Sequence, residues 1–132
     1  PLDFGHWAAH KLEQLSDFSI KHGEAVAIGI SLDIAYANRA GFITDDILER
    51  ILHTIENLGL DTFHDLFFNE SGIEFNPDLM VGLEEFREHL GGELTITMIE
   101  RIGTKFDVHE MKPKWLQDAA LKLKNKYQVH AS

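Results

Sequence analysis

The chemistry available to this chain lies in its histidines and carboxylates, because eight histidines accompany 22 acidic residues and there is no cysteine. His6 and His10 stand four residues apart. On a helix that spacing sends both rings from one face, with Cβ atoms about 5–6 Å apart, so one ion or one substrate can meet both. His22 opens the phrase His22-Gly23-Glu24, where a loop hands over to a packed segment, and a rigid helix end is a good place to fix a ligand. Without thiolates, a metal has to be held by imidazole and carboxylate. Three neutral imidazoles match the number of protein ligands in a catalytic zinc site that keeps one position open, but counting alone does not assign their roles. Spacing by itself fits a partly buried structural pair as well as it fits a metal site. The zinc-protease helix motif H-E-x-x-H is excluded, since Trp7 stands where that motif needs its general-base glutamate. His53, His64, His89, His109 and His130 have no partner at ligand spacing and read as ordinary polar or capping residues.

The elements that must position these residues follow from hydrophobic periodicity. Trp7, Ala8, Leu12 and Leu15 predict a helix from Gly5 to about Ser16, followed by a polar loop through Lys21. His22 to Ala40 is apolar nearly all round, with Ala25, Gly29 and Ala37 keeping it slim, which predicts a buried central helix ended at Gly41. Thr44, Asp45 and Asp46 form an N-cap and an acidic first turn for a stripe of Ile47, Leu48, Ile51, Leu52, Ile55 and Leu58 that closes at Gly59. A short helical piece within Asp61–Phe68 and a loop from Glu70 to Asn76 come next. Pro77 suits the first position of a helix running to about Leu90, stopped by Gly91-Gly92. The period then switches to two, over Glu93–Met98 and Lys105–His109, predicting two short strands as a hairpin. Pro113 opens a last helix carrying Trp115, Leu116, Ala119, Ala120 and Leu123, which is expected to fade at Lys124-Asn-Lys into a tail.

Size and charge narrow the function. With 132 residues, 44% of them hydrophobic, the chain is the size of one ordinary domain, and residues 1–132 read as a single, mainly α unit: a helical bundle with a small antiparallel hairpin. A formal charge of −10 argues against a sequence-independent grip on nucleic acid or on an anionic membrane. No apolar run approaches the roughly 20 residues of a membrane span, and no basic and apolar export segment opens the chain. Gly91-Gly92 follows a helix and precedes a strand, the reverse of the order that cradles phosphate, and no G-x-G-x-x-G nucleotide signature occurs. A start at Pro1, immediately before the motif-dense stretch, suggests an excised piece of a larger protein.

Taken together, Leu2-Asp3-Phe4-Gly5-His6-Trp7-Ala8-Ala9-His10-Lys11-Leu12-Glu13 and His22-Gly23-Glu24-Ala25-Val26-Ala27-Ile28-Gly29 resemble the 3-dehydroquinate synthase signature. That signature reads N-F-G-H-x-x-G-H-x-x-E, then H-G-E-x-V-A-I-G. Leu58-Gly59-Leu60 resembles the family's L-G-L-P turn, and Gly92–Gly103 resembles its G-K-x-x-x-V-L-x-x-x-I-G. The likeness runs in order from Leu2 to about Gly103.

The resemblance implies the C-terminal, helical, metal-binding half of a two-domain enzyme whose NAD-binding half lies outside this sequence. It implies that His6 and His22 bind zinc, or cobalt in its place, with a third ligand, a glutamate, upstream. It implies that His10 contacts substrate and its phosphate, and that NAD is bound mainly by the N-terminal domain. The family closes a seven-carbon sugar phosphate into a ring through transient oxidation by NAD⁺, phosphate elimination, re-reduction and an aldol step, in the shikimate route to aromatic amino acids or a related cyclitol route. A homodimer and a cytoplasmic location follow from the same likeness, and the 132-residue piece alone is expected to be inactive. Three departures bear on substrate. Asp3 takes the place of a substrate-contacting asparagine, Ala9 that of the second glycine, and Phe86-Arg87-Glu88 that of Asp-Lys-Lys, leaving Arg87 as the cation there for phosphate. Two other readings stay open: a metal-dependent polyol or glycerol-phosphate dehydrogenase of the same superfamily, and a non-catalytic helical module.

Overall fold

A computed structural model describes the backbone of residues 6–89, 96–101, 104–108 and 111–131, and the side chains of residues 7–85 and 111–127. In chain order it contains α1 (His6–Leu15), α2 (His22–Arg39), α3 (Asp45–Asn57), a single 3₁₀ turn (Asp65–Phe67), α4 (Pro77–His89), β1 (Ile96–Arg101), β2 (Thr104–Val108) and α5 (Pro113–Ala131). The fold is mainly helical, as its periodicities require.

The all-round apolar character of α2 is explained by its place at the centre. Ala25, Ile28, Leu32, Ile34, Ala35 and Ala37 are all buried, and α1, α3 and α5 pack around them. Burying a Leu or Ile side chain contributes about 1.5–3 kcal/mol, so the stripes that α1 (Trp7, Leu12), α3 (Leu48, Leu52) and α5 (Leu116, Leu123) press onto this core fix the bundle. Glu24 accepts from the Lys21 backbone N–H at 3.1 Å, satisfying a donor at the start of α2. Beyond its last turn Gly41 takes a φ of +88°, a left-handed conformation that a Cβ would strain. The cap of α3 is the expected one: Thr44 Oγ1 accepts from Ile47 N at 3.3 Å, and Asp45 and Asp46 fill the first turn.

The helical piece expected within Asp61–Phe68 is a single turn, Asp65–Phe67, and His64 Nδ1 caps its start by accepting from Leu66 N at 3.0 Å. The expected fade of α5 at Lys124-Asn-Lys is a correction, since the helix continues to Ala131. Its charged residues are anchored: Lys124 Nζ donates to Gly72 O at 2.9 Å and lies over the Phe68 ring, and Lys126 pairs with Glu49. β1 and β2 pair antiparallel from Ile96↔Val108 to Arg101↔Thr104, with a register shift between Ile99 and Arg101. Residues 93–95 and His109 of the predicted strands lie outside the described residues, as do Gly91 and Gly92.

α4 packs on α1, and its Leu79 and Leu83 join the buried core. The approach is close at Gly82, where an added Cβ would sit 2.9 Å from Lys11 Cβ, and Lys11 Nζ pairs with Glu85 at 2.6 Å beside it. Among the described residues, no helix is long and apolar enough to cross a membrane.

Candidate functional site

α1 presents two kinds of face. Trp7, Ala8, Ala9 and Leu12 are buried, while His10 and Gln14 are exposed and Glu13 lies at the boundary. Positions 6, 10 and 13 follow i, i+4, i+7 and therefore form one stripe along the helix. Trp7 holds that stripe in place. Its Nε1 donates to Asp33 Oδ1 at 2.9 Å in the interior, tying α1 to the middle of α2, and a buried carboxylate that is satisfied in this way makes the alignment specific. The residue that rules out a protease is thus the anchor of the helix. Ala9, standing where the signature has glycine, is fully buried, and its methyl is absorbed by the core.

The loop from Ser16 to Lys21 brings the start of α2 back beside α1. The amide of Phe18 donates to Glu13 O at 2.8 Å and that of Asp17 to Gln14 O at 3.1 Å, closing the end of α1. Ser16 Oγ accepts from Ile20 N at 3.2 Å. Asp17 and Phe18 both have positive φ, 53° and 62°, a conformation uncommon for residues with a Cβ and costly for a bulky one. Through this turn His22, the first residue of α2, places Nδ1 2.9 Å from Glu13 Oε1. The His22 side chain is 65% exposed and that of Glu13 16%, so the ring reaches outward from a held carboxylate. His10 is 3.2 Å from the Gln14 amide nitrogen, ring Nε2 to side-chain Nε2.

His10 and His22 therefore meet the same outer stripe of α1, one upon it and the other drawn to it by Glu13. His6 is the first residue of α1 and heads the stripe, its side chain lying outside those described. Arg87 belongs to α4, with its side chain likewise outside, and Asp3 lies outside the described residues altogether. Among the described residues, no group of three His, Cys, Asp or Glu side chains gathers to hold a metal, and His22 with Glu13 is the pair within reach of the candidate face. An apolar groove of about 440 Å³ opens next to the site between α2 and α3, lined by Gly23, Val26, Ile30, Ile51, Ile55 and Leu58.

This order of elements is shared with known proteins. The family described as 3-dehydroquinate synthase C-terminal matches residues 1–78, from the segment before α1 to the second residue of α4. The chain belongs to that family. It is 31% identical over 121 residues to 3-dehydroquinate synthase of Rhodopseudomonas palustris (strain BisB18), covering 89% of this chain and 32% of that protein. It is 31% identical over 112 residues to 3-dehydroquinate synthase of Caldanaerobacter subterraneus subsp. tengcongensis, covering 84% of this chain and 29% of the relative. The chain thus spans about a third of the length of the curated relatives it matches. Among solved structures it superposes on ValA, a 2-epi-5-epi-valiolone synthase from Streptomyces hygroscopicus subsp. jinggangensis 5008 with NAD⁺ and Zn²⁺ bound. The TM-score is 0.83 at 27% identity, over 95% of this chain and 33% of ValA.

Glu13 closes the H-x-x-G-H-x-x-E part of the signature, and nothing in the sequence alone shows what it contacts. Its spacing was the available signal: three residues after His10 and seven after His6, it shares their stripe. That it meets His22 could not be read from spacing, because the contact depends on the turn at Asp17 and Phe18.

Proposed function

We propose that this chain forms the metal- and substrate-binding side of an NAD- and zinc-dependent sugar-phosphate cyclase, working with an NAD-binding domain outside this sequence. The single observation that carries the reading is the return of His22 onto the stripe of α1 that bears His6 and His10, held there by Glu13. The donor chemistry fits zinc: imidazoles on two helices, one of them fixed through Nδ1 by a carboxylate and exposed at its edge. His6 and His22 would hold the ion, with a carboxylate from the missing half completing the set. When bound, zinc supplies Lewis-acid polarisation of the substrate's hydroxyl and carbonyl oxygens.

This chain's own residues do the rest by positioning. His10, steadied by Gln14, faces the substrate and its phosphate and is the side chain placed to hold or pass a proton there. Arg87 supplies a cation for the phosphate, and Asp3 puts a carboxylate where the family signature has a neutral amide that contacts substrate. That change alters what can be bound beside the phosphate. The substrate class is a seven-carbon sugar phosphate, cyclised with phosphate loss as in 3-dehydroquinate formation or in a related cyclitol route. ValA, with both NAD⁺ and Zn²⁺ bound, supports this cofactor pair. A cytoplasmic homodimer is the assembly we infer.

The test is bound zinc and product in the full-length protein. Wild type should hold stoichiometric zinc and release phosphate from a seven-carbon sugar phosphate without net NADH. Zinc that stays stoichiometric in His6→Ala would reject the ligand assignment, and steady NADH accumulation would make the protein a dehydrogenase.

A further inference from the structure

We infer that Glu13 is a positioning residue that selects which nitrogen of His22 faces the metal, an inference that rests on the zinc reading of His22 above. A carboxylate oxygen accepts hydrogen bonds, so with Oε1 2.9 Å from Nδ1 the imidazole hydrogen lies on Nδ1 and the lone pair of the neutral ring lies on Nε2. A metal-bound histidine needs this arrangement: one nitrogen donating to an orienting acceptor, the other free of hydrogen and directed at the ion, with the acceptor raising the basicity of the ring.

Three features make Glu13 suited to hold a ring still. It is on the last full turn of α1, where its own backbone oxygen accepts from Phe18 N at 2.8 Å and from Ser16 Oγ at 3.1 Å, so the backbone from which the carboxylate extends is fixed. Its side chain is only 16% exposed, which limits its rotamers and strengthens the contact. It reaches His22 across the covalently short Asp17–Phe18 turn, whose left-handed backbone sets the distance between the two helices. The contact thus joins α1 and α2 at the place where both contribute ligands.

The experiment measures zinc affinity in the full-length protein by chelator competition for wild type, Glu13→Gln, Glu13→Ala and His22→Ala, alongside thermal unfolding of each in metal-free form. Glu13→Ala should weaken zinc by about 10–100-fold, the range typical of outer-shell partners, with the metal-free unfolding temperature unchanged. Glu13→Gln, near-isosteric and still able to accept from Nδ1–H through its amide oxygen, should fall between the two and guards against a folding defect in the alanine variant. The Co²⁺-substituted Glu13→Ala protein should keep the visible absorption of the wild-type coordination number. Unchanged zinc affinity in both Glu13 variants overturns the inference, and so does a cobalt spectrum showing one ligand fewer, which would make Glu13 a ligand itself. Unchanged zinc in His22→Ala would instead sink the zinc reading of His22, a result distinct from either.

Discussion

The two ends of α2 are built differently although the helix between them is continuous and buried. At its C-terminal end, Arg39 Nε donates to Asp118 Oδ2 at 2.8 Å while its guanidinium lies 4.9 Å from the Trp115 ring centroid, with Lys112 Nζ 4.2 Å from the same ring. Next to it, Lys122 Nζ reaches both Asn38 Oδ1 (2.6 Å) and Asp45 Oδ1 (2.7 Å), and Asn38 Nδ2 donates to Asp45 at 2.9 Å, so α2, α3 and α5 share one polar clasp. At the N-terminal end, His22 meets α1 through a hydrogen bond to Glu13, approached through a turn of two left-handed residues. The clasp uses many overlapping contacts to hold helices. At the other end a carboxylate that is only 16% exposed holds a ring that is 65% exposed. Overlapping contacts between three helices are what a scaffold needs, and an exposed imidazole oriented by a carboxylate is what the proposed zinc site needs.

The sharpest way to break this contrast is His22→Ala. Zinc affinity of the full-length protein should fall by more than about 100-fold, beyond the range of an outer-shell partner, while the metal-free melting temperature barely moves. A large loss of metal-free stability would show that His22 is scaffold after all. Trp7→Phe comes next: it removes the donor to buried Asp33 and should cost about 2 kcal/mol in denaturant unfolding, a typical penalty for losing a hydrogen bond to a buried carboxylate. Arg39→Ala, at the redundant end, should cost about 1 kcal/mol, since a part-exposed ion pair and a surface cation–π contact are each small and neighbouring contacts remain. Zinc binding should be untouched by it.

Asp45→Asn should give the smallest effect, and a pH-dependent one. Hydrogen bonds from Lys122 and then Asn38 hold the Asp45 carboxyl below its ordinary value of 3.8, so the folded state favours the ionised form. The contribution is therefore present above the unfolded value and disappears as pH falls through the lower folded one. A melting series from pH 7 to pH 2 should show wild type slightly more stable than the variant at neutral pH and the two converging in acid. A gap that widens toward low pH would contradict this.

The same contrast explains what the sequence disclosed. α3 could be placed almost to the residue, because Thr44-Asp45-Asp46 announces a start and the stripe from Ile47 to Leu58 repeats at helical spacing over three turns. The buried centre of α2 was legible for the same reason: a helix apolar on all sides has to be surrounded. The end of α5 was not, since Lys124-Asn-Lys looks solvated until Gly72, 52 residues away in sequence, is seen to accept from Lys124. Around the candidate site, the placement of His10 on the outer stripe of α1 and of His22 at the start of α2 was legible from spacing and pattern. The partner of His22 was hidden by Asp17 and Phe18, because nothing in their identities announces a left-handed backbone, for which glycine is the usual signal.

Gly82 has a consequence for how such a site could change its substrate. A Cβ added at Gly82 would come within 2.9 Å of Lys11 Cβ, so even an alanine there would require the seam between α4 and α1, the helix that carries the histidine stripe, to shift. Variation that reshapes the pocket has more room at the exposed ends of these helices than along the seam between them, where the smallest residue sets the gauge of the whole assembly.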